Sequence, residues 1–228
     1  MSRLRIVFDL DDTLYPERDF ARSGFAAAGR WAAKKHGVVA DLGHTMLELL
    51  DSGHRGNLFG IALRAHRPEI SAEEIAEMHE IYRSHEPSGL NLFEDGLWAL
   101  DHYTAQGDIG LITDGHLVMQ SGKVRGLGIG HRFREIVYTD TLAPGRSMAK
   151  PHPRAFERMQ QALGEPGDRF VYIGDNPAKD FVSPNALGWL SVWVDRPGGI
   201  HHGATVADGG APQVTIKSLR ELPGVLGV

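Results

Sequence analysis

Four short stretches of this 228-residue chain carry the residue types that handle phosphate and hard cations. Asp9, Asp11, Asp12 and Thr13 follow the apolar run Ile6-Val7-Phe8. Thr113, Asp114 and Gly115 follow Ile109-Gly110-Leu111-Ile112. Lys150 precedes Pro151, and Gly174, Asp175, Asn176 and Asp180 follow Phe170-Val171-Tyr172-Ile173. An apolar run that ends in acid needs an explanation, because buried charge is costly unless something pairs with it. Two acids with one residue between them, threonine hydroxyls and a lysine form an oxygen-rich set with a single cation. That set suits Mg²⁺, which prefers oxygen ligands and commonly shares them with phosphate.

The elements that must position these groups follow from hydrophobic period. Residues 4–8 read as a buried strand. Residues 16–87 then show only helical spacing: Ala21, Phe25, Ala28 and Ala32 on one face, Asp41 as a cap, and Ser71 with Glu74 as a capping box. After Pro87 strand and helix patterns alternate. Strands are expected at residues 108–113, 135–138, 169–173, 190–194 and 214–216, and Asn176-Pro177 reads as a helix start. Alternation of this kind predicts an α/β fold with a doubly wound, parallel, Rossmann-like sheet. The expected domains are a core of residues 1–15 and 88–228 and an all-helical cap of residues 16–87. In such a sheet ligands bind beyond the carboxyl ends of the strands, where each of the four stretches falls.

In that order, D-x-D-x-T, a strand ending in Thr, K-P, and G-D-x-x-x-x-D, the chain resembles the haloacid dehalogenase superfamily of phosphotransferases. The resemblance covers residues 4–14 and about 88–222, and the helical segment between them matches the cap that many members carry. It implies a Mg²⁺-dependent phosphomonoester hydrolase acting on a small phosphorylated metabolite, such as a sugar or nucleotide phosphate, through an aspartyl-phosphate. Asp9 would be the nucleophile, and Asp11 the general acid and then base, with a backbone carbonyl for the metal. Thr113 and Gly115 would contact the phosphoryl group. Lys150 would neutralise its charge, Asp175 would ligate Mg²⁺ with Asp9, and Asp180 would orient Lys150 or a metal-bound water. A carboxylate of ordinary pKa is ionised at neutral pH and needs no base to activate it.

Two details refine this reading. Members with dehalogenase activity lack the second acid, so Asp11 argues for phosphoryl transfer. Where the family often has Asn, this chain has Asp114, and a carboxylate aimed at phosphate would be repelled. Its side chain is therefore expected to turn away or to face a substrate hydroxyl or amine. Asp12 is assigned a structural role, because strand alternation points it away from its neighbours. Arg55, in a Gly-flanked loop of the cap, is a candidate to hold a second anionic group of the substrate, with Arg18 and His54 weaker candidates. His201-His202 read as loop residues with no carboxylate framework.

Composition bounds the alternatives. A net charge of -5 offers no footprint for nucleic acid or an anionic membrane, and the absence of cysteine excludes thiolate chemistry and disulfides. No apolar run approaches the roughly 18 residues of a membrane span. A cytoplasmic monomer or homodimer is expected. A non-catalytic phosphometabolite-binding protein, a phosphomutase and a haloacid dehalogenase stand as alternatives.

Overall fold

The structure, a computed structural model, describes residues 3–54 and 56–227. Six strands among them form one sheet: β1 (Leu4–Phe8), β2 (Ile109–Thr113), β3 (Glu135–Tyr138), β4 (Arg169–Gly174), β5 (Leu190–Val194) and β6 (Val214–Ile216). The order is β3-β2-β1-β4-β5-β6 and every neighbouring pair is parallel. The chain runs outward in one direction from β1 to β3 and in the other from β4 to β6, so the order reverses between β1 and β4. A crevice at such a reversal is where ligands bind in open parallel sheets. Register makes the crevice specific: Phe8 pairs with Ile173 and with Leu111, and the Asp9 N–H donates to the Ile173 carbonyl at 2.8 Å. The chain therefore leaves β1 at Asp9 beside the point where it leaves β4 at Asp175.

The helices are α1 (Glu17–His36), α2 (Leu42–Asp51), α3 (Leu58–Arg64), α4 (Ala72–Ser84), α5 (Glu94–Thr104), α6 (Leu117–Gly126), α7 (Arg154–Leu163), α8 (Val182–Ala186) and α9 (Leu222–Leu226). By internal contacts the chain divides into two units, residues 1–16 with 91–228, and residues 17–90. The second unit is all helical. Asp41 caps α2 by accepting from the His44 N–H, and Ser71 and Glu74 complete a capping box on α4. Helices α1 and α2 approach closely because each has glycine at the crossing: a Cβ on Gly29 would lie 2.9 Å from the Gly43 nitrogen. Phe25, Met46, Phe59, Leu63 and Met78 fill this unit's own core. In the first unit the apolar stripe of α7, Phe156, Met159 and Leu163, packs with Val7, Ile112 and Tyr172 of the sheet. Each such buried side chain contributes about 1.5–3 kcal/mol.

One expected element differs. Asn176-Pro177 opens a turn, not a helix, and α8 begins only at Val182. The Asp180 N–H donates to the Asn176 carbonyl at 3.0 Å and its side chain bends back to accept the Asn176 N–H at 2.9 Å, closing a single turn. None of the described helices is long and apolar enough to cross a membrane.

Candidate active site

The site is built on the loop after β1. Asp9 is 5% exposed, and beyond it the chain turns tightly: the Thr13 N–H donates to the Asp11 carbonyl and the Leu14 N–H to that of Leu10. Asp12 sits at φ 49°, a left-handed conformation that Asp tolerates better than most residues. Extended alternation therefore stops before Asp12. The residue is buried, and its charge acts on Asp175, so it does not simply point away from its neighbours.

Lys150 stands at the centre. Its ammonium lies 2.8 Å from Asp9 Oδ1, 2.7 Å from Asp180 Oδ1 and 2.9 Å from the Tyr172 hydroxyl, with the lysine side chain wholly buried. Burial opposes its charge, but Asp180 and Asp9 outweigh burial and hold Lys150 protonated, well above the ordinary lysine value. Asp180 is fixed from behind by the Asn176 N–H. A Cβ on Gly174 would lie 2.5 Å from Asp180 Oδ2, so only glycine leaves room for that carboxylate.

Carboxylate oxygens of Asp9, Asp175 and Asp180 lie within 4.8 Å of one another, and all three residues are buried. Burial, and then the neighbouring charges of Asp180, Asp9 and Asp12, push Asp175 well above the ordinary carboxylate value. Asp9 is raised by burial to about 7, against the pull of Lys150. In the absence of a divalent cation, burial therefore opposes the ordinary ionisation expected of Asp9. A cluster of buried acids that cannot all ionise alone, offering only oxygen donors, fits a hard divalent cation.

Asp11 faces elsewhere. Lys123 Nζ donates to both of its oxygens at 2.8 and 2.9 Å, the Tyr15 hydroxyl to Oδ1 at 2.7 Å and Gln120 Nε2 to Oδ2 at 2.8 Å. Burial favours the neutral acid, but Lys123 and these donors prevail and hold Asp11 below its ordinary value. Gln120 also reaches the Thr113 oxygen at 2.5 Å, so the buried Thr113 hydroxyl accepts there and keeps its own proton to donate. Gly115, at φ 140°, leaves the space that Gln120 fills, since a Cβ there would lie 2.9 Å from Gln120 Cδ.

Asp114 is turned onto protein donors: Thr139 Oγ1 at 2.7 Å, the Lys150 N–H at 3.2 Å and Lys179 Nζ at 3.2 Å. Burial works against its charge, and Lys150 and Lys179 overcome it, so Asp114 is held ionised.

Asp9, Lys150, Asp175 and Asp180 thus form one cluster, while Thr113 and Asp11 are tied together through Gln120. Arg55 lies outside the described residues. Arg18 makes a two-pronged pair with Asp51 at 2.7 and 2.8 Å, so a role as a spare anion-binding arginine is not what its geometry offers. His202 does have a carboxylate partner: its Nδ1 lies 2.6 Å from Asp195, which Lys217 also holds, and His201 contacts the Asn176 amide. Sequence reasoning passed over Gln120, Lys123, Tyr172 and Lys179. Gln120 and Lys123 are one helical turn apart on the face of α6 that also buries Val124, a polar pair at apolar positions that signals buried partners.

Comparison with known proteins agrees with this geometry. The sequence profile of the haloacid dehalogenase-like hydrolases matches residues 5–188. A protein of Methanopyrus kandleri called glyceraldehyde 3-phosphate phosphatase is 29% identical over 84% of this chain and 83% of its own. A phosphoserine phosphatase of Thermus thermophilus is 33% identical over 39% of this chain and 34% of its own. Among solved structures, a 2-haloacid dehalogenase of Pseudomonas syringae superposes over 100% of this chain and 99% of its own, with a TM-score of 0.63 and 25% identity. With the profile spanning the motifs after β1, β2 and β4 and the lysine between them, the chain belongs to the haloacid dehalogenase-like hydrolase family.

Proposed function

We propose that this hydrolase is a Mg²⁺-dependent phosphatase acting on a small phosphorylated metabolite. The observation that carries the reading is the set of three buried carboxylates meeting one buried lysine at the point where strand order reverses. The names of the relatives direct attention to short phosphomonoesters. Glyceraldehyde 3-phosphate and O-phosphoserine are the first substrates to try.

Asp9 attacks phosphorus, the ester P–O bond breaks, and the leaving oxygen takes a proton from Asp11, which must be protonated for this step against the pull of Lys123. Water then attacks the aspartyl-phosphate, gives its proton to Asp11, and phosphate leaves with Asp9 restored. Asp9 and Asp175 would hold Mg²⁺ with Asp180 alongside, and the bound ion would offset the repulsion between Asp9 and the phosphoryl group. The Thr113 hydroxyl donates to a phosphoryl oxygen, and Lys150 keeps Asp9 and Asp180 in place. These roles address only the phosphate.

Two expectations follow from the electrostatics. Mg²⁺ affinity, read by titration calorimetry, falls as pH drops through about 7, because protons compete for Asp9 there. Affinity that is flat between pH 6 and 8 would contradict this assignment. Replacing Lys123 by Met removes the ammonium that favours ionised Asp11, so the Asp11-dependent limb of the kcat/KM profile moves up by about one pH unit or more. An unmoved limb would show that another group titrates. The function itself is tested on a panel of phosphorylated metabolites with and without Mg²⁺. Metal-dependent phosphate release is expected from at least one. Tight binding with no release would leave a phosphometabolite-binding protein instead.

A further inference from the structure

His201 and His202 lie outside the four stretches that carry the chemistry, yet both are held. Asp195, just past β5 and 8% exposed, anchors the second. Its Oδ1 lies 2.6 Å from His202 Nδ1 and accepts the Gly203 N–H at 3.2 Å, while its Oδ2 accepts from Lys217. That anchor presents His201 to Asn176, whose Nδ2 lies 3.0 Å from His201 Nε2. The turn fixes the direction of this bond. Asn176 Oδ1 already accepts from the Ala178 N–H at 3.0 Å, so the amide NH₂ faces the histidine and His201 Nε2 is the acceptor.

Asn176 follows Asp175 and opens the turn that ends at Asp180, so it sits inside the segment that supplies two of the three clustered acids. Its backbone is committed to that turn, with the N–H donating to Asp180 Oδ2 and the carbonyl accepting from the Asp180 N–H. Two more bonds reach the same segment from β5 and its loop. Trp193, paired in register with Gly174, donates its indole N–H to the Asp175 carbonyl at 2.8 Å. The Ala207 N–H donates to the Pro177 carbonyl at 3.0 Å. Three consecutive residues, Asp175, Asn176 and Pro177, are thus each tied to β5 or to the loop that follows it. A backbone held at each step loses little more freedom when its carboxylate takes a cation. Mg²⁺ is sensitive to such placement because it demands near-octahedral geometry, whereas Ca²⁺ accepts irregular ligand sets.

We infer that Trp193 and His201 are positioning residues for the metal-binding turn, and that the His201-His202 pair is the strap by which the glycine-rich loop after β5 holds Asp175 ready for Mg²⁺. This rests on the Mg²⁺-dependent phosphatase reading above. Each residue acts through Asp175 or its neighbour Asn176, not on the ion itself. The two histidines divide the work: His202 grips Asp195, and His201 accepts from Asn176.

The test measures Mg²⁺ and Ca²⁺ affinity of the full chain by titration calorimetry at pH 8, without substrate. His201→Ala removes the acceptor and should raise the Mg²⁺ dissociation constant about tenfold, the size of effect found for groups that support a metal ligand. His201→Gln, whose amide oxygen can accept from Asn176, should recover most of that loss. Trp193→Phe keeps an aromatic ring but loses the N–H, and should also weaken Mg²⁺ about tenfold. In His201→Ala and Trp193→Phe alike, Ca²⁺ affinity should fall less than Mg²⁺ affinity, a difference that partial unfolding would not produce. Thermal unfolding of each variant in EDTA controls for folding. Unchanged Mg²⁺ affinity in either variant, equal losses for the two ions, or His201→Gln as weak as His201→Ala would overturn the inference while leaving the phosphatase reading intact. A wild-type chain that neither binds Mg²⁺ nor releases phosphate from any phosphomonoester would overturn both.

Discussion

Asp9→Asn is expected to abolish phosphate release, by about 10³-fold or more, and at the same time to raise the melting temperature of the metal-free protein at pH 8. Loss of activity follows from loss of the nucleophile. The gain in stability follows from linkage. Asp9 is raised from 3.8 to about 7 in the folded chain by burial. An acid whose folded pKa is raised opposes folding as pH climbs above its unfolded value, and the opposition is complete above the folded value. At pH 8 in the presence of a chelator, ionised Asp9 therefore destabilises the fold, on the order of 4 kcal/mol. The neutral amide removes that term, and its carbonyl still accepts from Lys150. Each kcal/mol corresponds to about 2–4 °C in a chain of this size. Thermal unfolding of both proteins in EDTA at pH 5 and pH 8 reads the effect. The gap should widen at pH 8, and a variant less stable than wild type there would contradict the electrostatic account of the site.

Lys150→Met is expected to have the opposite consequence for stability and the same one for activity. The wild-type ammonium separates the Asp9 and Asp180 carboxylates and touches both. Methionine fills a similar volume but leaves two buried acids facing each other without a cation. Breaking a buried pair by removing one partner costs about 3–5 kcal/mol. The cost should depend on pH in a definite direction. In the variant, Asp9 can shed its charge by taking up a proton, so the deficit is smallest near pH 5 and deepens as pH rises toward 8. In wild type, the lysine's raised folded pKa means that its contribution is fully present below its unfolded value of about 10.4 and is lost only as pH rises through the folded value. A deficit that is constant across pH 5–8 would mean that packing, and not charge, is what Lys150 supplies.

Much of this site was legible before any fold was drawn. Asp9, Thr113, Asp175 and Asp180 follow runs that read as parallel strands, and topology alone carries strand ends to one edge. Register then brings Asp9 beside Asp175, although 166 positions separate them in the chain. Asp114 was expected to turn from the phosphate or to face a substrate hydroxyl or amine, and its oxygens accept from Thr139, the Lys150 N–H and Lys179. What escaped the sequence were groups whose placement depends on which face of an element packs inward. Tyr172 sits within an apolar strand and looked like core, yet its hydroxyl is one of the three partners of Lys150. Lys123 looked like any helical lysine, and only the burial of that face of α6 carries it to Asp11. Lys179 drew no attention in the sequence, and the turn after Asn176 carries it to Asp114. At Asn176-Pro177 the expected helix start gives only a single turn, with the Asp180 side chain held between the Asn176 N–H and Lys150.

The claim on which the account depends is that phosphate passes through the Asp9 carboxylate. It can be examined by mixing enzyme, Mg²⁺ and a ³²P-labelled substrate, quenching in acid within the first turnovers, and reducing the trapped acyl phosphate with borohydride before peptide mass spectrometry. The account predicts acid-stable label on the protein during turnover and reduction of the side chain at position 9 alone. Turnover with no labelled protein, or with reduction at Asp11, Asp175 or Asp180 in place of Asp9, would contradict it.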